Sequence, residues 1–199
     1  MALVLLTGIG GCKASDRSAA RDSTAMATTP ADTGASAATS GATAAPKGGM
    51  TDSNIVALLD EANKADSANS AIALKKATRP DVKAFAKLMM SEHHALRAEG
   101  QQLAKQLGVE PKLPAHDPLA PYSVSETKAL QSAPKGPEFD RTYIDNEVSV
   151  HQAVLDFANQ ARVTTQTAEL RALIEKAIPV IRKHLDQAQA IQKEITPAA

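Results

Sequence analysis

Four residues able to bind a proton or a metal stand where helical repeats call for apolar side chains. Ile55, Leu59, Ala62, Asp66, Asn69 and Ala73 recur at steps of four and three, the spacing of one helix face. The same rhythm carries Val82, Ala86, Met89, His93, Leu96, Gly100, Leu103 and Leu107, then Ile144, Val148, His151, Leu155 and Ala158, and finally Leu170, Leu173, Ala177, Ile181, His184, Ala188 and Ile191. Asp66, His93, His151 and His184 are therefore expected to point inward, one from each segment. A carboxylate and neutral imidazoles suit iron, zinc, copper or manganese. They equally suit a hydrogen-bonded polar layer that fixes helix register. His94 shares a face with Lys83, Lys87 and Gln101, and His116 lies in a Pro-rich stretch, so both are expected to be solvated.

The elements that must position these residues are long helices. The first runs from Ser53 to near Thr78. Arg79-Pro80-Asp81 opens the second with Pro in the first turn and an acid at the positive end of the dipole, and Gly108 closes it. Glu110 to Pro137 holds six prolines around one short helical candidate, Ser125 to Ser132. Such a link is long enough to cross the length of a bundle, which would make the second and third long helices parallel. Thr164 and Thr165 break the third from the fourth, where Pro179 is expected to introduce a bend. The reading is all-α, a four-helix bundle over 53–195 with a long connection between its second and third helices. Counting from helix starts puts Asp66, His93 and His151 at similar depth. His184 falls on the order of 10 Å away by the same count, and Glu147, one turn before His151, matches the height better.

The N-terminus carries a different message. Ala2 to Ile9 is apolar except for Thr7 and Gly8, too short to span a bilayer, and ends in Gly10-Gly11-Cys12. This is the pattern of a secretory signal. Ile9-Gly10-Gly11-Cys12 resembles a bacterial lipobox, in which the cysteine is lipidated, and Cys12 is the sole cysteine of the chain. No Lys or Arg precedes the apolar run, so a start some codons upstream is expected. Lys13 to Asp52 contains no Leu, Ile, Val, Phe, Tyr or Trp and has little to offset chain entropy. It reads as a disordered tether.

Composition narrows the function. The 199 residues include 22 basic and 22 acidic side chains and only 3% aromatics. The balance holds on both sides of Ser53, so a basic face for nucleic acid is not expected. A single cysteine excludes an intramolecular disulfide framework and the multi-cysteine metal motifs. No nucleophile–base pair, Gly-rich phosphate loop or serine-hydrolase elbow is present.

Val82-Lys-Ala-Phe85-Ala86-Lys-Leu-Met89-Met90-Ser-Glu92-His93, then Phe139-Asp140-Arg-Thr-Tyr143-Ile144 with His151, then Ile178-Pro179 before His184-Leu185, resemble the ferritin-like family catalogued as domain of unknown function 4142. The resemblance covers roughly 54–195 and implies a ferritin-like bundle in a secreted or lipid-anchored bacterial envelope protein, without an established activity. It places the family's acid–His pair on Glu92 and His93 and its later histidines on His151 and His184. Asp66 stands where the family more often has Glu.

Three readings of the inward residues follow. The polar layer comes first, in a non-catalytic envelope interaction or stress module, because a seam histidine is more often satisfied by a neighbour than by an ion. Transition-metal binding by Asp66, Glu92, His93, Glu147, His151 and His184 is the alternative. A di-iron oxidase comes last, since paired Glu-x-x-His motifs are lacking. Met89 and Met90 read as core filler before soft copper ligands. The expected partners are a membrane, through the lipid, and an envelope protein. The expected location is the outer membrane, facing the periplasm. Donor atoms gathered within about 4 to 5 Å would favour metal over the layer, since metal bonds are near 2.0 to 2.2 Å.

Overall fold

The computed structural model of the chain describes residues 50–195; Cys12, the apolar run before it and nearly all of the expected tether lie outside the described residues. Five α-helices and no strand occur among the described residues: α1 (Asp52–Lys76), α2 (Pro80–Leu107), α3 (Ala120–Ser132), α4 (Pro137–Thr164) and α5 (Ala168–Glu194). Thr51 caps α1, its hydroxyl accepting from the Asn54 N–H at 3.2 Å while its own N–H donates to Asn54 Oδ1 at 3.1 Å. Such a reciprocal pair satisfies two donors that a helix start leaves open. The helix thus begins at Asp52, one residue before the expected boundary. The Asp52 carboxylate accepts from the Thr165 and Thr167 hydroxyls and the Gln166 N–H, tying the α4–α5 turn to the start of α1.

A second carboxylate ties the other end. Asp140, fully buried on α4, accepts from the N–H groups of Thr78 and Arg79 at 2.8 and 2.9 Å and from the Thr78 hydroxyl. The starts of α2 and α4 therefore lie together. The link between α2 and α4 agrees: near its beginning Ser53 and Asn54 donate to the carbonyls of Glu110 and Lys112. Near its end the Lys76 ammonium donates to the carbonyls of Leu130, Gln131 and Ala133. It travels from one end of α1 to the other, so α2 and α4 run parallel.

The short helix in this link is longer than Ser125 to Ser132. It starts at Ala120 because the Asp117 carboxylate accepts from the N–H groups of Leu119 and Ala120 at 2.8 and 3.0 Å. Pro121 sits in the first turn, where a missing N–H costs nothing. α5 is likewise assigned as one helix through Pro179.

Helix α1 packs chiefly on α2, and α4 on α5, with α2–α5 and α1–α4 contacts joining the pairs. Two apolar clusters fill the interior. One includes Ile55, Leu58, Leu155, Leu170, Ile174 and Ile181. The other holds Val82, Phe85, Met89, Leu130, Phe139 and Tyr143. Along α1, α2 and α4 the inward polar residues fall between the members of these two clusters: Asp66 on α1, His93 on α2, Glu147 and His151 on α4. His184 on α5 lies near their boundary, between Ile181 and Leu185 of the first and before Ala188 of the second. The polar set is a layer sandwiched by apolar ones.

Candidate metal centre

Each histidine is held by one ring nitrogen. His93 Nδ1 lies 2.8 Å from Asn63 Oδ1, which can only accept, so that nitrogen carries the hydrogen. His151 Nδ1 is 3.0 Å from the backbone oxygen of Glu147, and His184 Nε2 is 2.6 Å from Glu92 Oε2. By the same reasoning both are N–H donors. The lone pairs of neutral rings then fall on His93 Nε2, His151 Nε2 and His184 Nδ1. All three of these atoms are buried without a hydrogen-bond partner. A carboxylate, amide or carbonyl on the far nitrogen is the arrangement that orients metal-binding imidazoles.

The rings form a nearly equilateral triangle, with centroids 5.4, 5.3 and 5.4 Å apart. One nitrogen from each lies within 4.8 Å of the other two. Corners of a triangle that size stand about 2.8 Å from its centre, so a shift of roughly 0.7 Å per side chain reaches metal-bond length. Asp66 Oδ2 stands 3.6 Å from His93 Nε2 and 3.9 Å from His151 Nε2, beside the same two nitrogens. Asp66, Glu147 and His151 make a second set of donors within 4.8 Å of one another. With all three rings neutral, these nitrogens have nothing to accept from. Either a proton on His151, donated by its Nε2 within the layer, or a cation would serve them.

The chain thus brings Asp66, His93, Glu147, His151 and His184 together. Glu92 is placed differently: it is partly exposed and grips His184 from the nitrogen opposite the cluster. His94 and His116 are exposed. Met89 is buried in the apolar cluster and Met90 is exposed.

The expected 10 Å offset of His184 does not occur. Counting from the helix ends, His151 is 13 residues before Thr164 and His184 is 16 after Ala168, a difference of three residues or roughly 5 Å. The turn residues between the helices add no rise along α5. Side chains also lean toward the N-terminus of their own helix. His151 therefore leans away from the turn and His184 toward it, closing the remaining gap.

A chain segment of 156 residues, 36–191, matches the sequence profile of the family described as Domain of unknown function (DUF4142). The chain belongs to that family. Residues 36–49 of the match lie outside the described residues. No curated protein matches this DUF4142 protein. Among solved structures, CopM in the Cu(II)-bound form is similar, with a TM-score of 0.59 and 19% identity over 74% of this chain and 100% of the CopM chain. At that identity the likeness is one of fold.

Several members of the DUF4142 protein's polar layer carry weak sequence signals. Asn63, which fixes His93, precedes Asp66 by one helical turn. Tyr143, Glu147 and His151 follow one another at four-residue steps, a stripe beside the Ile144–Val148–His151 seam. The Tyr143 hydroxyl lies 3.0 Å from Ser70 Oγ. Glu126 gave no signal, since it lies in the Pro-rich link, yet α3 buries it with one carboxylate oxygen unpartnered.

The electrostatics divide the layer. Burial pushes the His93 imidazolium down to about 4, against the opposing pull of Asp66. Burial also lowers His184, with Glu92 partly offsetting it. Both are neutral and ready to ligate near pH 7. Burial disfavours charged His151 too, but the Glu147 hydrogen bond and the charge of Asp66 outweigh it and hold the group up at about 9. Burial, then Asp66, raises Glu147 to about 7. Burial and the charges of Glu147 and Asp66 push Glu126 well above the usual carboxylate range. No Lys or Arg is among the buried residues of this layer, so its acids have only imidazolium as a counter-charge.

Proposed function

We propose that this protein is a transition-metal-binding protein of the bacterial envelope, with copper as its first metal, held by His93, His151, His184 and Asp66. The observation that carries the proposal is the convergence of three buried, unpartnered imidazole nitrogens whose opposite nitrogens are all fixed. Imidazole suits copper and zinc, and divalent affinity peaks at copper in the first-row series. The structural neighbour CopM was solved with Cu(II), in keeping with that choice. Copper bound there would supply a Lewis acid and a one-electron couple, while the chain binds and shields the ion. The scaffold is read as a ferritin-like four-helix bundle of α1, α2, α4 and α5, with α3 in the crossing link.

Isothermal titration of the full chain with buffered copper(II) should show one tight site, which His93→Ala and His151→Ala each abolish. Because His151 holds a proton near neutral pH, binding should release about one proton and weaken roughly tenfold per pH unit as acid is added below pH 9. Parent and variants that bind copper equally would leave the histidines as a structural layer.

The envelope location rests on Ile9-Gly10-Gly11-Cys12, with the lipid on Cys12 as the membrane partner. Cys12→Ala, expressed from a start that supplies a working signal, should move the protein from the membrane to the soluble fraction. Parent protein without lipid on Cys12 would overturn that assignment.

A further inference from the structure

A cavity of about 70 Å³ runs beside the polar layer between α1, α2, α4 and α5. Leu59, Leu96, Val154, Leu173 and Ile174 form much of its wall, and Asp66, His93 and His151 also line it. His184 does not. The triad is therefore closed on the side of His184 and Glu92 and open toward an apolar chamber. Away from these residues the polar lining is Asn63, whose amide is engaged by His93 Nδ1 and the Leu59 carbonyl, and Asp60, Arg97 and Gln101, where Arg97 and Gln101 both donate to the Asp60 carboxylate, at 3.0 and 2.7 Å. The Asp60 carboxylate is thereby matched by the Arg97 guanidinium at the partly exposed end of the cavity. These groups leave an apolar path to the two lining histidines.

A water needs roughly 10 to 15 Å³ of such space, so the chamber has room for a molecule of several heavy atoms. Apolar walls make a charged or strongly hydrated occupant costly and favour an uncharged one. A protein metal site that leaves a coordination position open does so toward the route its ligand takes. Resting on the metal reading above, we infer that the cavity admits a small uncharged molecule, of the diatomic class, and delivers it to the ion held by His93, His151, His184 and Asp66, on the face that His93, His151 and Asp66 turn to the chamber.

Gly100 offers the test. It lines the cavity, and a Cβ built there meets no atom within 4 Å, so the first carbon of a side chain at this position displaces no neighbour and Gly100→Leu is the variant chosen to occupy the chamber. Ala177, from α5, lines the same cavity, and Ala177→Leu provides a second variant.

The full chain would be studied in two arms. In the first, metal-free protein is titrated with xenon and followed by xenon-129 NMR, which reads uptake into an apolar cavity without any ion. In the second, protein loaded with copper(I) under anaerobic conditions is exposed to carbon monoxide. Its carbon lone pair forms a dative bond to copper with no change of oxidation state, and the carbonyl stretch appears in the infrared. The parent should take up xenon and show the carbonyl band. At least one variant should keep parental copper stoichiometry while xenon affinity and carbon monoxide association fall about tenfold or more, the scale of one misplaced methylene in a tight pocket.

Copper loading without a carbonyl band in the parent would overturn this inference and leave the metal reading intact. So would carbon monoxide binding at parental rates in both variants. Failure of copper to bind the parent would sink the metal reading and this inference with it. Absence of xenon uptake would show that the chamber is closed to apolar molecules.

Discussion

Saturating copper(II) should raise the thermal midpoint of the protein by several degrees, and His93→Ala should erase the rise. An ion that binds only the folded state stabilises it by RT ln(1 + [L]/Kd), about 2.7 kcal/mol at a hundredfold excess over Kd. For a domain of this size that corresponds to roughly 5 to 10 °C. The folded state alone brings His93, on α2, within 5.4 Å of His151, on α4, ring to ring, so the unfolded chain has no comparable site. Asn63→Ala is the sharper variant. Asn63 does not face the cluster with a ligand atom but holds His93 by its far nitrogen, and loss of such a support typically costs 10 to 100-fold in affinity. The midpoint rise at fixed copper should shrink in Asn63→Ala and vanish in His93→Ala. A rise of the same size in all three proteins would place the bound copper elsewhere.

Glu126→Gln should stabilise the metal-free protein, by an amount that grows with pH. Glu126 is buried, and burial with the neighbouring charges of Glu147 and Asp66 raises its folded pKa well above the ordinary value. Between the unfolded and folded pKa values the native state keeps a proton that the unfolded chain has released. The native state then binds more protons, so stability falls as pH rises. The slope is about 1.4 kcal/mol per pH unit travelled in that window. Glutamine has the same shape and no proton to lose. Denaturant unfolding of both proteins near pH 4 should give similar stabilities, and the gap should open toward neutral pH in favour of Glu126→Gln. A difference that stays flat with pH would show that the Glu126 carboxyl titrates alike in both states. Copper added to the wild type should narrow the gap, since a cation in the layer offsets the charge that Gln removes.

The inward placement of Asp66, His93, His151 and His184 was legible in the sequence, because helix periodicity fixes which face a residue occupies and each of the four interrupts an apolar row. The all-helical class and the limits of the long helices were legible too, from Pro80 and Gly108 at the ends of α2 and from Thr164 and Thr165, the last residue of α4 and its cap. So was the parallel course of α2 and α4, which follows from the length of the link between them.

Three things depended on tertiary structure. Periodicity gives a face but not a height, so the level of His184 rested on where the turn after Thr164 ends and on the opposite lean of side chains in antiparallel helices. The burial of Glu126 depended on α3 docking against α1 and α4; its own residues hold too few turns to show a face. The choice between a satisfied polar layer and an open set of donors rested on which ring nitrogens find a partner. Local sequence determines residue type and helix face, because both are set within a few residues by backbone geometry. The meeting of three imidazole nitrogens within 4.8 Å of one another is set by how the helices pack, through contacts between residues as far apart as Glu92 and His184, and only the folded chain brings those together.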